Sequence, residues 1–421
     1  MASRDPHAII IGAGIAGLST AYWLAKAGWG STILEYHDSI APGGHVMHIF
    51  GPGYQTLRRM NLKDLVINSY KHSDSVVRDS RGREILRHPY ADIHAGVETL
   101  STCRGDLALA IAGALPKKAT IRFGARIDAL QDHGDKVTVE LEGGEVLEAD
   151  LLIGADGSLS ATRDSYWEDE KWAEILGYYY STYDVKMDHK LDSYCQSYSA
   201  PGHIDVLYAP QKGRVAALHI WREDHIKPPA PNELKYDVLR RVISKKNTTV
   251  SEVLHAAEKA VSVPVLNRAF MVVLDEWSRG RVVLVGDAAY CFAPWSSHGA
   301  GMAMASAEVM SEELLVGGSL GDALVRWEKR VRPSVERLQM RIRATAPKLI
   351  AKNTPVYAVR ALATRALGQE KVGSWQALGI AEELKLAKLD ERELALSHRK
   401  GISAPASGNK AEAAGAAKSG G

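Results

Sequence analysis

"HAIIIGAGIAGLSTAYWLAKAGWGSTILE" occupies residues 7–35, and how it is read decides the fold. The short apolar run at its start reads as a buried strand. Gly12, Gly14 and Gly17 then follow as G-x-G-x-x-G. A helix is predicted from Ile15 to Ala27, and "STILEY" reads as a second strand carrying Glu35, 18 residues after Gly17. Each part has a physical reason. The first glycine makes the tight turn, the second lets backbone approach a pyrophosphate, and the third lets helix pack on strand. The helix N-terminus then faces negative charge. Ile15 and Ala16, at the start of that helix, are placed beside the same ligand. Glu35 accepts from a ribose hydroxyl and repels a 2′-phosphate, which favours FAD or NAD over NADP.

The 421 residues allow two or three domains. Hydrophobic residues at 46% and charged residues at 24% are those of a chain that buries a large core. A net charge of +2 gives no pull toward nucleic acid. Cys103, Cys195 and Cys291 are far apart and form no C-x-x-C, so neither a metal site nor a disulfide framework is expected. A reducing, cytoplasmic setting fits that usage. No apolar run reaches the ~20 residues needed to span a bilayer, and no signal peptide is read at the start.

Outward from the first strand, the chain keeps the same style to about residue 177. A loop with Pro42-Gly43-Gly44 follows the second strand, "SVVRDSRGREIL" reads as a hairpin, and "KVTVELEGGEVLEADLLIGADG" as a hairpin leading into a buried strand. From about 178 to 264 the texture changes to alternating, aromatic-rich strands such as "YYYSTYDVKM" and "RVAALHIW". "RVVLVGDAA" then resumes the first style. The expected class is therefore α/β: a Rossmann-like domain from residues 1–177 and 265–345, an inserted mixed-sheet substrate domain at 178–264, and C-terminal helices over 346–400. The Ala/Gly/Ser/Lys-rich tail at 401–421 cannot bury enough surface to order itself.

Two later segments resolve which dinucleotide is meant. "GADGSLSATR" (154–163) and "RVVLVGDAAYCFAPWSSHGAGMAMASAE" (281–308) resemble two motifs of the single-component FAD-dependent monooxygenases, the para-hydroxybenzoate hydroxylase-like flavoproteins. The first agrees with G-A-D-G-x-x-S-x-x-R at all six fixed positions. The second resembles G-D-A-A-[HY]-x-x-x-P-x-x-G-x-G, but Ser297 stands where the first glycine of that final G-x-G is usual. "GPGYQTLRRMNLKDLV" and "STCRGDLALAI" also look like family segments. The resemblance covers roughly residues 7–345.

What the resemblance implies can be carried onto this chain. Asp287 would hydrogen-bond the ribityl–pyrophosphate part of FAD. Arg104 would lie by its phosphates or ribityl chain, and Asp156 near the cofactor in a structural role. Gly299 and Ala300 would aim N–H groups at the flavin pyrimidine edge, with Pro294 stiffening the approach and Gly44 lining the site. Arg163 is as readily structural as functional. Small residues from 286 to 308 make room for the isoalloxazine ring, and a helix N-terminus there stabilises reduced flavin.

The resemblance further implies reduction by NAD(P)H, O₂ addition at flavin C4a, and oxygen transfer to a small, largely apolar or aromatic substrate. No second G-x-G-x-x-G is present, so NAD(P)H is expected as a transient co-substrate without a fold of its own. A phenolic substrate calls for a general base. His298 is the first candidate, then His45 and His48, with His219 and Arg214 on the insert as others. Each reads equally as an ordinary polar or core residue. A role in specialised metabolism rests on analogy. A flavoprotein without net oxygenation stays open as well, whether a cyclase or isomerase with structural FAD or a dehydrogenase. Twelve Lys/Arg against three Glu between Arg326 and Lys371 offer a weak case for peripheral membrane contact; a solvated face packed on the flavin domain is the alternative.

Overall fold

The apolar run of residues 7–11 becomes the strand His7–Ile11, inside a six-stranded sheet. The computed structural model describes residues 5–64, 74–88, 98–243, 247–360 and 362. The sheet order is Ser278–Arg279, Val282–Leu284, Leu151–Gly154, His7–Ile11, Gly30–Leu34 and Ala119–Arg122. All neighbours are parallel except the first pair. Leu151–Gly154 is buried along its whole length, as a strand covered on two faces must be. This is the expected Rossmann-like layer.

The glycine turn explains how the first helix joins that layer. Helix Ile15–Lys26 starts directly after it, with Ala27 as its C-cap. A Cβ on Gly17 would lie 2.0 Å from the Gly12 carbonyl oxygen, so only glycine lets the helix sit this close. Gly12 adopts φ 101°, and a Cβ there would meet the Ala155 carbonyl oxygen at 2.7 Å. Helix Gly299–Leu315 packs between Ile15–Lys26, Gly51–Arg59 and the long helix Leu320–Thr345. A Cβ on Gly53 would lie 2.3 Å from Gly301 Cα, so glycine on both helices permits that approach.

A second, seven-stranded sheet faces this layer. Its order is Val265–Val272, Ala173–Lys186, Arg214–Arg222, His203–Gln211, Cys195–Ala200, Ser75–Asp79 and Glu84–His88. The sheet thus draws strands from three stretches of chain, reaching beyond residues 178–264 and taking in the 75–88 hairpin. Cys195–Ala200 and Ser75–Asp79 pair in parallel; the other neighbours are antiparallel. Alternation separates two faces. Tyr183, Leu207, Val215, Ala217 and Trp221 pack under helices Lys235–Val242 and Thr248–Lys259. Tyr178, Val206, Ala216 and Ile220 point the other way and join the core of the first layer.

The C-terminal helical region is described only to residue 362. Ala346–Lys348 forms a 3-10 turn and residues 354–360 are helical. The remainder, with the tail at 401–421, lies outside the described residues. On the long helix, Arg326 donates to Glu313 (2.8 Å), Arg330 to Glu312 and Glu313 (2.7 Å each), and Arg343 to Glu174 (2.6 Å). These cations are committed to protein carboxylates rather than left open to an anionic surface. No helix among the described residues is long and apolar enough to cross a membrane.

Candidate cofactor and active site

The cleft between the layers starts at the glycine turn. Gly14 caps helix Ile15–Lys26 with φ −75° and ψ 178°, an extended backbone any residue adopts. A Cβ placed on it would lie 3.6 Å from Arg104 Nη2. The Arg104 guanidinium therefore stands across a narrow gap from the turn. Its own backbone is held in place because its N–H donates to the His45 carbonyl (3.0 Å), while Gly105 N–H donates to the Gly43 carbonyl (2.7 Å). The Pro42–Gly44 loop and the start of helix Arg104–Gly113 thus form one wall.

Glu35 closes the adjacent strand as expected, but its carboxylate is partly engaged. Oε2 accepts the Ala13 N–H (2.8 Å) and Oε1 the His37 N–H (3.0 Å). Each oxygen keeps a second lone pair for a ribose hydroxyl. The Ala13 bond also pins the glycine turn to the strand end.

Gly286 leads into the short helix Asp287–Tyr290. The Asp287 carboxylate is exposed. The surrounding protein raises its proton affinity, and the Arg104 charge pulls it down. A Cβ on Gly299 would lie 3.3 Å from Asp287 Oδ1, so Gly299 and Ala300, in the first turn of their helix, sit directly over this carboxylate. Pro294 and Trp295 complete the turn, half-buried, and the Trp295 ring meets Tyr178 of the second sheet edge-on at 5.4 Å.

Two motif residues act within the scaffold. Asp156 accepts from Ser160 Oγ (2.5 Å), Thr162 N–H (2.9 Å) and Thr162 Oγ1 (3.0 Å), which steadies Ser160, the N-cap of helix Ala161–Tyr166. Its carboxylate thus serves the start of that helix, with Oδ2 taking two of the three bonds. Arg163 is fully buried. It donates to the Ala288 carbonyl (3.2 Å) and the Ser158 carbonyl (3.0 Å), with its guanidinium 3.6 Å from the Trp172 ring centroid. Arg163 therefore bolts the GADG segment onto the GDAA segment.

The candidate histidines separate clearly. His45 lies on the cleft wall beside Arg104; burial, then the Arg104 charge, hold its pKa down at about 4, so it is neutral at pH 7. His48 is buried in the two-stranded ribbon of Val46–Phe50 and Thr99–Cys103, with Nδ1 2.7 Å from Ser101 Oγ. His298 is the N-cap residue of helix Gly299–Leu315; its Nδ1 donates to the Ser296 carbonyl (2.6 Å) and its ring meets Phe50 edge-on at 5.1 Å. His219 lies on the far face of the second sheet, between Asp205 (2.8 Å) and the Tyr183 hydroxyl (3.0 Å). Arg214 pairs with Asp184 and donates to the Pro42 carbonyl (3.3 Å). So the cleft gathers Gly14, Arg104, His45, Asp287, Gly299 and Ala300, while His48 and His219 belong to packed interiors.

One residue of the cleft carried no motif signal. Tyr180 is half-buried on the inner face of the second sheet, hydrogen-bonded by its cross-strand neighbour Asn267 and within electrostatic reach of Asp287, Cys291 and Arg104. Strand alternation alone assigns its face; what lies opposite is tertiary.

The donor set fits an elongated dinucleotide. Acceptors stand at Glu35 for a ribose, a cation faces the glycine turn for a pyrophosphate, and Asp287 lies under a helix N-terminus for the polyol and ring end. Residues 5–316 match the FAD binding domain family. The chain belongs to that family. It is an FAD-dependent oxidoreductase of the flavin monooxygenase class. Among the relatives of this FAD-binding chain is the FAD-dependent monooxygenase asL4 of Sarocladium schorii, 26% identical over 369 residues, covering 79% of this chain and 84% of that one. The 6-hydroxynicotinate 3-monooxygenase of Bordetella bronchiseptica is 27% identical over 320 residues, covering 73% and 82%. The same fold occurs in Klebsiella pneumoniae HpxO complexed with FAD and uric acid, with a TM-score of 0.72 at 21% identity, over 91% of this chain and 97% of that one.

Proposed function

We propose that this chain is an FAD-dependent monooxygenase that uses NAD(P)H and O₂ to hydroxylate or epoxidise a small, largely apolar or aromatic molecule. Bound FAD supplies the two-electron chemistry that activates O₂. The observation that carries the proposal is the pairing of two walls. Arg104 and Asp287 line one with charge, and the second sheet presents Tyr180 on the other. Such a chamber binds a flat apolar ring and keeps water from the reacting atoms.

Individual roles follow from chemistry. Arg104 neutralises phosphate charge, and Asp287 accepts from the polyol chain. Gly299 and Ala300 aim N–H groups where electron density rises on reduction. Neutral His45 accepts a proton only weakly at pH 7. Donation of the His298 Nδ1 proton to the Ser296 carbonyl leaves Nε2 as the accepting nitrogen of that ring, so His298 stays the first candidate for a general base.

The test is a stopped-flow and oxygen-electrode experiment on the holoprotein. NADH or NADPH is added with and without phenol, indole and hydroxypyridine probes. Probe-stimulated bleaching of the flavin with matched O₂ uptake supports the proposal. Product formation without any flavin reduction contradicts it and favours a flavoprotein with structural FAD.

A further inference from the structure

Ser297 holds φ 57°, one of three described non-glycine residues in the left-handed region. A side chain in that region costs about 1 kcal/mol or more, which glycine avoids. The motif this loop resembles carries glycine at that position, so this chain keeps a hydroxyl where its backbone favours no side chain at all. Residual strain beside a functional cleft points to a job for the group that causes it.

Where the residue stands narrows the job. Its neighbours turn inward: Ser296 and His298 are buried, joined by His298 Nδ1–H to the Ser296 carbonyl (2.6 Å) and by His298 N–H to Ser296 Oγ (3.5 Å). Ser297 between them is half-exposed and meets no hydrogen-bond partner among the described residues. Two positions on, Gly299 lies against Asp287 at the ring end of the cleft, where the N-terminus of helix Gly299–Leu315 also points.

We propose that the Ser297 hydroxyl donates a hydrogen bond to the polar edge of the bound isoalloxazine ring. The ring gains electron density on reduction, so a donor there stabilises reduced flavin more than oxidised flavin. Ser297 is thus a cofactor-tuning residue that this chain adds to its family's pattern. The inference rests on the cofactor-site reading above.

Two substitutions separate hydroxyl from strain. Ser297→Ala removes the hydroxyl and keeps the left-handed strain; Ser297→Gly removes both. The apoproteins are reconstituted with FAD, and the flavin midpoint potential is measured against a reference dye together with the urea midpoint of the apoprotein. Both variants should lower the potential by about 15–30 mV, the two-electron equivalent of a three- to tenfold loss of preference for reduced flavin. Only Ser297→Gly should raise the urea midpoint. Potentials equal to wild type in both variants overturn the proposal, as does a shift confined to Ser297→Gly, which places the effect in the backbone. A folded Ser297→Ala protein that retains no FAD also counts against it, because one hydroxyl donor changes affinity only a few-fold. A wild-type protein that binds no FAD is a different failure: it removes the cofactor-site reading itself.

Discussion

Gly14→Ala distinguishes a glycine kept for the fold from one kept for the cofactor. Its backbone, φ −75° and ψ 178°, suits alanine, and the new methyl would rest 3.6 Å from Arg104 Nη2, an ordinary contact. Losing glycine at an N-cap costs a few tenths of a kcal/mol to about 1 kcal/mol, and the stiffer unfolded chain returns about 0.4–1 kcal/mol. Apoprotein stability should therefore stay within about 1 kcal/mol of wild type. The cofactor sees something else. A phosphate oxygen must come within about 2.8 Å of the guanidinium nitrogen, and a carbon 3.6 Å from that nitrogen leaves no space between them. Losing one or two charge-assisted bonds of about 1.5–3 kcal/mol each weakens FAD binding by between about tenfold and about twenty-thousandfold. Flavin fluorescence titration of the apoprotein, paired with urea denaturation, reads both quantities. Gly17→Ala is the contrast, since its Cβ would meet the Gly12 carbonyl at 2.0 Å and must unseat the helix. Wild-type FAD affinity in Gly14→Ala would refute the reasoning, because the pyrophosphate would then lie elsewhere.

Three further outcomes are expected. His45 falls from its ordinary 6.5 to about 4 in the folded protein, so folding favours its neutral form. That stability is full above pH 6.5 and is lost as pH falls toward 4, by about 3 kcal/mol at most and less where solvent reaches the ring; His45→Gln apoprotein should lack this acid limb, and parallel pH–stability curves would contradict it. Val261 takes φ 56° just after helix Thr248–Lys259, with its N–H donating to Glu258 and that of Ser262 to Ala257. Val261→Gly should stabilise by about 1 kcal/mol in urea denaturation, and a loss of stability would argue against that helix end. Arg163→Met leaves the Ala288 and Ser158 carbonyls without their donor, and a drop of about 2–4 kcal/mol is expected; an unchanged thermal midpoint would show the bolt to be idle.

The parts of the molecule readable from sequence are those where chemistry demands a residue at a fixed spacing. Gly12 and Gly17 are of that kind, because a Cβ at either collides with backbone. Asp287 is too, since it starts a helix at the bottom of the cleft. Long-range pairing left no such trace. The 75–88 hairpin reads locally as a hairpin, but its parallel partner Cys195–Ala200 is remote in sequence, and a parallel edge carries no turn to announce it. Histidines were the least legible. A buried His48 beside Ser101, a helix-capping His298 and a cleft-wall His45 look alike as letters, and only packing separates them. Asp156 belongs to a motif, yet its oxygens serve a helix cap, which a capping pattern of Asp, Ser and Thr would have suggested. Tyr180 needed the opposite wall to be in place before its position meant anything.

The central claim is that one FAD lies along the cleft from Glu35 to the 294–301 turn. A crystal structure of the reconstituted protein tests it most directly. The account predicts one FAD per chain, its pyrophosphate between Gly14 and Arg104 and its ring beside Pro294, Ser297 and Gly299. A folded protein that stays colourless with excess FAD, or one that holds the flavin outside this cleft, would contradict it.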